Sequence, residues 1–301
     1  MTRAREPGDR PGVFVIDKPA GVTSFDVVRT LGRRLGTRKV GHCGTLDPMA
    51  TGVMVVCVQE ATRLVPWLTA DDKVYSGTFQ FGAETDTDDR EGRVTREVEG
   101  TVELDPAVVR AFAARLTGTI SQVPPAYSAI HVDGQRAYTL ARAGVAVELA
   151  AREVRVDRFD VEMQGDGTAR FVASVSKGTY IRSLVRDLGR GTGYLAHLTS
   201  LRRECSGAFT LQQALPPGWE ELDRSDLWPH AIAPYDALGQ MPELPLSPDE
   251  RKRLSHGKVV EFGADRSAGL YRTCTADGAL FGVVRLEEGG LGRVERLMPT
   301  G

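Results

Sequence analysis

Between Gly41 and Gly52 the chain gathers an acid, Asp47, an imidazole, His42, a thiol, Cys43, and the hydroxyls of Thr45 and Thr51, set among three glycines. Pro48 follows the acid and biases its backbone away from the helical region. A short carboxylate held extended between glycines can be presented to a substrate that approaches the backbone closely. The run Val53-Met54-Val55-Val56-Cys57-Val58 follows at once, short and β-branched, and reads as an interior strand. The stretch is therefore a loop that empties into the core of a sheet, where catalytic groups often sit. An Asp-Pro turn without chemistry fits the same residues. A phosphate-cradling P-loop does not, because no Gly-Lys-Ser/Thr ends the stretch.

The elements that must position this loop belong to an ordinary globular chain. Its 301 residues are 41% hydrophobic and 26% charged, enough for a sizeable core and about two domains. A net charge of −2 gives no global basic field, so any nucleic-acid binding must come from a local patch. Cys43, Cys57, Cys205 and Cys274 are scattered without a Cys-x-x-Cys, which points to reduced thiols and against a zinc site or disulfide frame. Residues 1–11 read as a disordered polar tail without the apolar core of a signal peptide. No apolar run nears the ~20 residues that span a bilayer. A cytoplasmic protein is expected.

Val13–Ile16 reads as a strand ended by Asp17-Lys18-Pro19-Ala20-Gly21. Thr23-Ser24 caps a helix to Leu35, with Gly36 as its stop and Val27, Val28, Leu31 and Leu35 as its apolar stripe. Arg29 and Arg33 fall on the other face, and Arg34, Arg38 and Lys39 follow, either as a solvated face or as a phosphate-contacting strip. Lys73–Phe81 alternates as a strand, with Tyr75 on the apolar face as an ordinary core tyrosine. The acidic loop 82–92 misses calcium-loop spacing and reads as a turn bonded to its own backbone. Asp105-Pro106 opens a helix through Leu116, closed by Gly118. Residues 122–142 mix Pro, aromatic and basic residues like an inserted loop and helix, a composition suited to looped RNA or to a plain surface excursion.

Arg170–Ser176 reads as a strand that runs into Gly178-Thr179-Tyr180-Ile181-Arg182, then a helix stopping at Gly189. If the junction stays extended, Tyr180 and Arg182 point the same way. Leu198 to Arg203 reads as the end of this helical region. Six prolines between 214 and 245 mark a boundary near 240, and Asp277-Gly278 between apolar runs predicts a hairpin in a small β-rich tail.

Four separated segments carry a resemblance. They are Lys18-Pro19 with Gly21, the stretch Gly41–Gly52, Lys73-Val74-Tyr75, and Gly178-Thr179-Tyr180-Ile181-Arg182. In this order and spacing, over about residues 12–210, the chain resembles the TruB-type tRNA pseudouridine synthases, which act on the uridine at position 55 in the T-loop. Phe81-Gly82, Thr85-Asp86-Thr87 and Tyr127-Ser128-Ala129 support it.

The resemblance implies an α+β fold with a mixed, mostly antiparallel central sheet of the pseudouridine synthase type and a small C-terminal β-rich PUA-like domain. It divides the chain into a tail (1–11), a catalytic domain (12–240) with a thumb-like insertion at about 122–152, and an RNA-binding domain (241–301). Asp47 becomes the catalytic acid, Arg182 its partner, and Tyr75 the ring that stacks on uracil and takes the C5 proton. Tyr180 and Leu201 become pocket walls, and His42 fills the space left by the flipped base. Lys18 and Pro19 become a support under the loop, with Lys18 also among the expected RNA contacts together with Arg29, Arg33, Arg38, Lys39, Tyr127, His131 and Arg142. His131 stands where a Lys is expected, and Cys43 where the family usually has Ala or Thr. No metal or cofactor is implied. The implied partner is the tRNA T-arm stem-loop, with no membrane, and the chain is expected to be a monomer. The competing reading is an RNA-binding module that helps tRNA fold without chemistry. A further rival is a metal-dependent nuclease built on Asp86, Asp88 and Asp89.

Overall fold

The computed structural model describes residues 10–99, 104–128, 130–132, 135–137, 140, 143, 145 and 149–299. In chain order the strands are β1 (Gly12–Lys18), β2 (Val40–His42), β3 (Thr51–Val58), β4 (Lys73–Phe81), β5 (Ala83–Thr85), β6 (Val94–Glu97), β7 (Gly118–Gln122), β8 (His131–Val132) and β9 (Gln135–Arg136). They continue as β10 (Arg152–Gly165), β11 (Thr168–Val175), β12 (Ala196–Ser206), β13 (Phe209–Thr210), β14 (Val260–Glu261), β15 (Gly269–Cys274), β16 (Leu280–Leu286) and β17 (Leu291–Leu297). The central nine-stranded sheet has the order β1-β3-β12-β4-β11-β10-β7, with β2 on β3 and β13 on β12. Within it only β3 and β12 run parallel, so the sheet is mixed and mostly antiparallel.

β3 is an unbroken apolar run because both of its faces are covered. Met54, Val56 and Val58 pack with Phe14 and Ile16 in the main core. Val53, Val55 and Cys57 pack with Val13 and Val15 in a second cluster on the other face. That second cluster also takes Leu280, Val283 and Met298, so the C-terminal strands dock on the back of β1 and β3.

The helix Ser24–Leu35 is capped as its sequence dictates. The Thr23 hydroxyl accepts from the Asp26 N–H, Asp26 answers the Thr23 N–H, and Gly36 closes the helix at φ 68°. Val27, Leu31 and Leu35 enter the main core. The helix Pro106–Arg115 starts on Asp105 as expected, but Gly118 opens β7 instead of capping the helix, whose last cap is Leu116.

Three sequence expectations are corrected in the following region. The helix Ile181–Thr192 passes through Gly189 and ends on Gly193 at φ 78°. A Cβ at Gly189 would lie 2.3 Å from the Ala196 nitrogen, so this glycine serves close packing of helix on strand and not termination. The stretch Leu198 to Arg203 is not the end of a helical region but the middle of β12, between β3 and β4 in the sheet. Because the helix starts at Ile181, Tyr180 is its cap and Arg182 lies in its first turn, so the extended junction does not persist.

Beyond residue 240 a second sheet has the order β14-β17-β16-β15. The expected Asp277-Gly278 turn joins β15 to β16. Leu244, Leu254, Val260, Tyr271, Phe281 and Val284 form its own cluster. The helix Pro248–Ser255 and strand β17 were not marked by the sequence. No helix among the described residues is long and apolar enough to cross a membrane.

Candidate active site

Asp47 sits on the loop between β2 and β3 with its side chain 30% exposed. Arg182 holds it with both arms of its fork: Nε donates to Oδ2 at 2.9 Å and Nη2 to Oδ1 at 3.0 Å. The guanidinium is itself buried, and it donates further to the backbone oxygens of Thr87 at 2.8 Å and Tyr127 at 2.9 Å. Two charge-assisted bonds in one plane fix the carboxylate's rotation as well as its position. One face of the carboxylate is thus occupied, while the rest stays open to a ligand.

The loop is stitched to the fold along its length. The buried Ser24 hydroxyl, at the start of a helix, donates to Leu46 O at 3.0 Å and accepts from Leu46 N at 2.9 Å. Gly21 N donates to Pro48 O at 2.8 Å. The Lys18 ammonium donates to the backbone oxygens of Pro19, Val22 and Pro48 at 2.8–3.1 Å. Lys18 is fully buried, so its place among candidate RNA contacts is corrected: it supports the loop from below. Burial pulls its pKa down to about 8, while the charge of Asp47 opposes the shift.

The acidic loop is a second departure from expectation. It does not merely bond to its own backbone but forms the β5–β6 hairpin, whose acids face arginines one turn apart on the helix Ile181–Thr192. Arg182 Nε lies 3.7 Å from Asp89, Arg186 Nη1 donates to Asp88 at 2.9 Å, and Arg190 Nε donates to Glu84 at 2.7 Å. Burial pushes the Asp88 carboxyl up, against the pull of Arg186. Asp86 instead accepts from Arg93 N. No group of three or more His, Cys, Asp or Glu among the described residues is arranged to hold a metal ion.

Tyr75 (8% exposed) and Leu201 (7%) lie in the same packed cluster as Leu46 and Ile181, which adjoin Asp47 and Arg182 in the chain. The Tyr180 backbone is clasped by the buried Gln122 amide, which accepts from its N–H at 2.8 Å and donates to its carbonyl at 3.1 Å. Arg152 stacks over the Tyr180 ring at 4.9 Å. His42, on β2, is half-buried, its Nδ1 has no hydrogen-bond partner among the described residues, and burial together with the Arg203 charge lowers its pKa. Tyr127 reaches the site through its backbone oxygen on Arg182.

Among the remaining candidates, Arg29 pairs with Asp26 and Lys39 with Glu60, while Arg33 and Arg38 are exposed. His131 lies in the β8–β9 hairpin, and Arg142 falls outside the described residues. Ser24, Gln122 and Arg186 were missed as site residues, and Asp88 and Asp89 were considered only for the metal-dependent nuclease. Only the spacing of Arg182, Arg186 and Arg190 along one helix could have suggested an arginine ladder.

Comparisons with known proteins meet this geometry. A family model described as TruB family pseudouridylate synthase (N terminal domain) matches residues 32–181. A Mycobacterium sp. (strain KMS) protein named tRNA pseudouridine synthase B is 45% identical over 285 residues, covering 92% of each chain. An Arthrobacter sp. (strain FB24) protein of the same name is 44% identical over 274 residues, covering 88% of this chain and 87% of that one. Among solved structures, a chain from a Cbf5-Nop10-Gar1 complex shares the fold at TM-score 0.72 and 22% identity, over 96% of this chain and 85% of that one.

Proposed function

This chain belongs to the TruB family of pseudouridylate synthases, and on that premise we propose that it isomerises uridine to pseudouridine at position 55 in the T-loop of tRNA, with Asp47 as the acting acid. The observation that carries this reading is the bidentate Arg182–Asp47 pair, whose chain neighbours Leu46 and Ile181 share one packed cluster with Tyr75 and Leu201.

The reaction breaks C1′–N1 and forms C1′–C5 in the same nucleoside. The bond pair leaves with N1, which makes C1′ electron-poor. The Asp47 carboxylate traps or stabilises that electron-poor centre, as carboxylates do in glycoside chemistry. The detached uracil turns against the Tyr75 ring until C5 faces C1′. Forming the new bond leaves C5 with a hydrogen to lose. Tyr75 takes that proton and N1 gains one, so no redox partner or energy source is required. Arg182 keeps Asp47 aimed at the sugar throughout. The target base is stacked inside a folded loop and must be flipped out, and the His42 ring, neutral at pH 7, fills the space it leaves.

Residues 12–240 form the catalytic domain in this reading, and residues 241–301 an RNA-binding domain of PUA type. Arg29, Arg33, Arg38 and Lys39 contact phosphates, so affinity falls steeply with salt. The protein works as a cytoplasmic monomer. The test is a T-arm RNA with tritium at C5 of its uridines, given to the wild type and to Asp47→Asn. Release by the wild type alone supports the reading, and release by neither overturns it.

A further inference from the structure

Three cations lie buried behind the Asp47 loop: Lys18 (0% exposed), Arg203 (1%) and Lys73 (6%). Among the described residues none of them forms an ion pair, and each donates to backbone oxygens. Burying unpaired charge opposes folding. Retaining three such charges beside one loop therefore points to a task at that loop.

Arg203 is the central one. It lies on β12, opposite Gly52 of β3 and Tyr75 of β4. Its Nε donates to Val53 O at 2.6 Å and its Nη2 to Gly44 O at 3.2 Å. Gly44 precedes Asp47 and Val53 follows it, so one planar side chain closes the loop at both ends. The backbone is equally tight, since a Cβ on Gly52 would meet Arg203 O at 2.2 Å. The same strand carries Leu201, two residues earlier. The charge of Arg203 also reaches the neighbouring groups, where it opposes protonation of His42, Lys18 and Lys73. Lys73 donates to the Thr69 and Asp71 backbone oxygens and so does not replace the clamp.

We propose that Arg203 is a positioning residue for Asp47: it clamps both ends of the catalytic loop to the strand that carries Leu201. This rests on the reading of Asp47 as the acting acid. A planar fork reaches two carbonyls at once, which lysine cannot do. Arg203→Lys separates the clamp from the charge, and Arg203→Met removes both.

The experiment measures three properties of the full-length protein: turnover of T-arm RNA, thermal unfolding, and the titration of the His42 ring by NMR without RNA. Arg203→Lys is expected to lower kcat on the order of tenfold or more with KM within about threefold, and to leave the His42 midpoint in place. Arg203→Met is expected to lower kcat on the order of a hundredfold and to move the His42 midpoint up toward its ordinary value. A folded Arg203→Met with wild-type kcat overturns the proposal. If that variant does not fold, Arg203→Lys decides alone: kcat within about twofold of wild type refutes the clamp. Absence of C5 tritium release by the wild type itself would instead strike the functional reading, while the melts of the two variants would still test the clamp.

Discussion

Replacing Arg182 with Lys keeps one positive charge at Asp47 but exchanges a fork for a point. Arg182 makes two bonds to the carboxylate and two to the backbone oxygens of Thr87 and Tyr127. One ammonium in that place keeps one carboxylate bond and one carbonyl bond at best. Two charge-assisted bonds are lost, one to the carboxylate and one to a backbone carbonyl, at about 1.5–3 kcal/mol each. Asp47 is 30% exposed, so water repairs part of its loss. A net penalty of about 2–4 kcal/mol remains, which at 1.36 kcal/mol per decade is a fall of roughly 30- to 1000-fold in rate. The loss belongs in kcat, because the carboxylate's aim matters in the reaction and not in gripping the T-arm. KM should stay within about threefold. Single-turnover tritium release at saturating enzyme measures the step directly, with a thermal melt as the control for folding. A folded Arg182→Lys that turns over within about twofold of wild type would refute the reasoning, since the two-point hold on Asp47 would then contribute nothing to the rate.

Three further outcomes follow from the geometry. Ser24→Ala strips a buried staple from both peptide groups of Leu46, at about 1–3 kcal/mol for each orphaned group. It should lower Tm by several degrees, and an unchanged calorimetric melt would show the staple to be idle. Gly52→Ala should fail to give folded protein, because Gly52 has φ 101° and a Cβ there would lie 2.2 Å from Arg203 O. Gly21→Ala, with φ 83° but nothing within 4 Å, should fold with only about 1–2 kcal/mol of backbone strain. Similar melts for the two variants would contradict the close-approach argument. Lys18 and Lys73 each titrate near about 8, mainly through burial. Between that value and the lysine pKa of about 10.4 in the unfolded chain, the unfolded state holds protons that the folded state has shed. Their contribution to stability therefore rises with pH across that window and is lost as pH falls through about 8. Carbon-13 NMR at lysine Cε should show two signals titrating well below the others, and uniform titration above pH 10 would contradict it.

Where local chemistry decides local structure, the fold was legible. Thr23, Asp26 and Gly36 fix the ends of the first helix whatever surrounds it. The apolar run after Gly52 announced a strand covered on both faces. The stretches that misled are those whose residues answer to partners far along the chain. Gly189 looks like a terminator because its reason, the backbone of Ala196 pressed against it, is visible only once helix and strand are packed. β12 reads poorly as a strand because Thr199, Ser200, Arg202 and Arg203 serve hydrogen bonds and a buried cation instead of an apolar face. The acids of loop 82–92 read as bonded to their own backbone because the arginines that hold them lie about a hundred residues later. The site divides in the same way. Asp47, Tyr75, Tyr180 and Arg182 stood out through motif and resemblance, whereas Ser24, Gln122, Asp88 and Arg203 act through tertiary hydrogen bonds that no spacing announces.

The central claim is that Asp47, held by Arg182, carries C5 chemistry on a T-loop uridine. The most direct measurement is tritium release from T-arm RNA labelled at C5, comparing wild type with Asp47→Asn, with RNA binding measured alongside. The account predicts release by the wild type, none by the variant, and similar binding by both. Tight binding with no release by either protein would contradict it and leave an RNA-folding module as the reading of this chain.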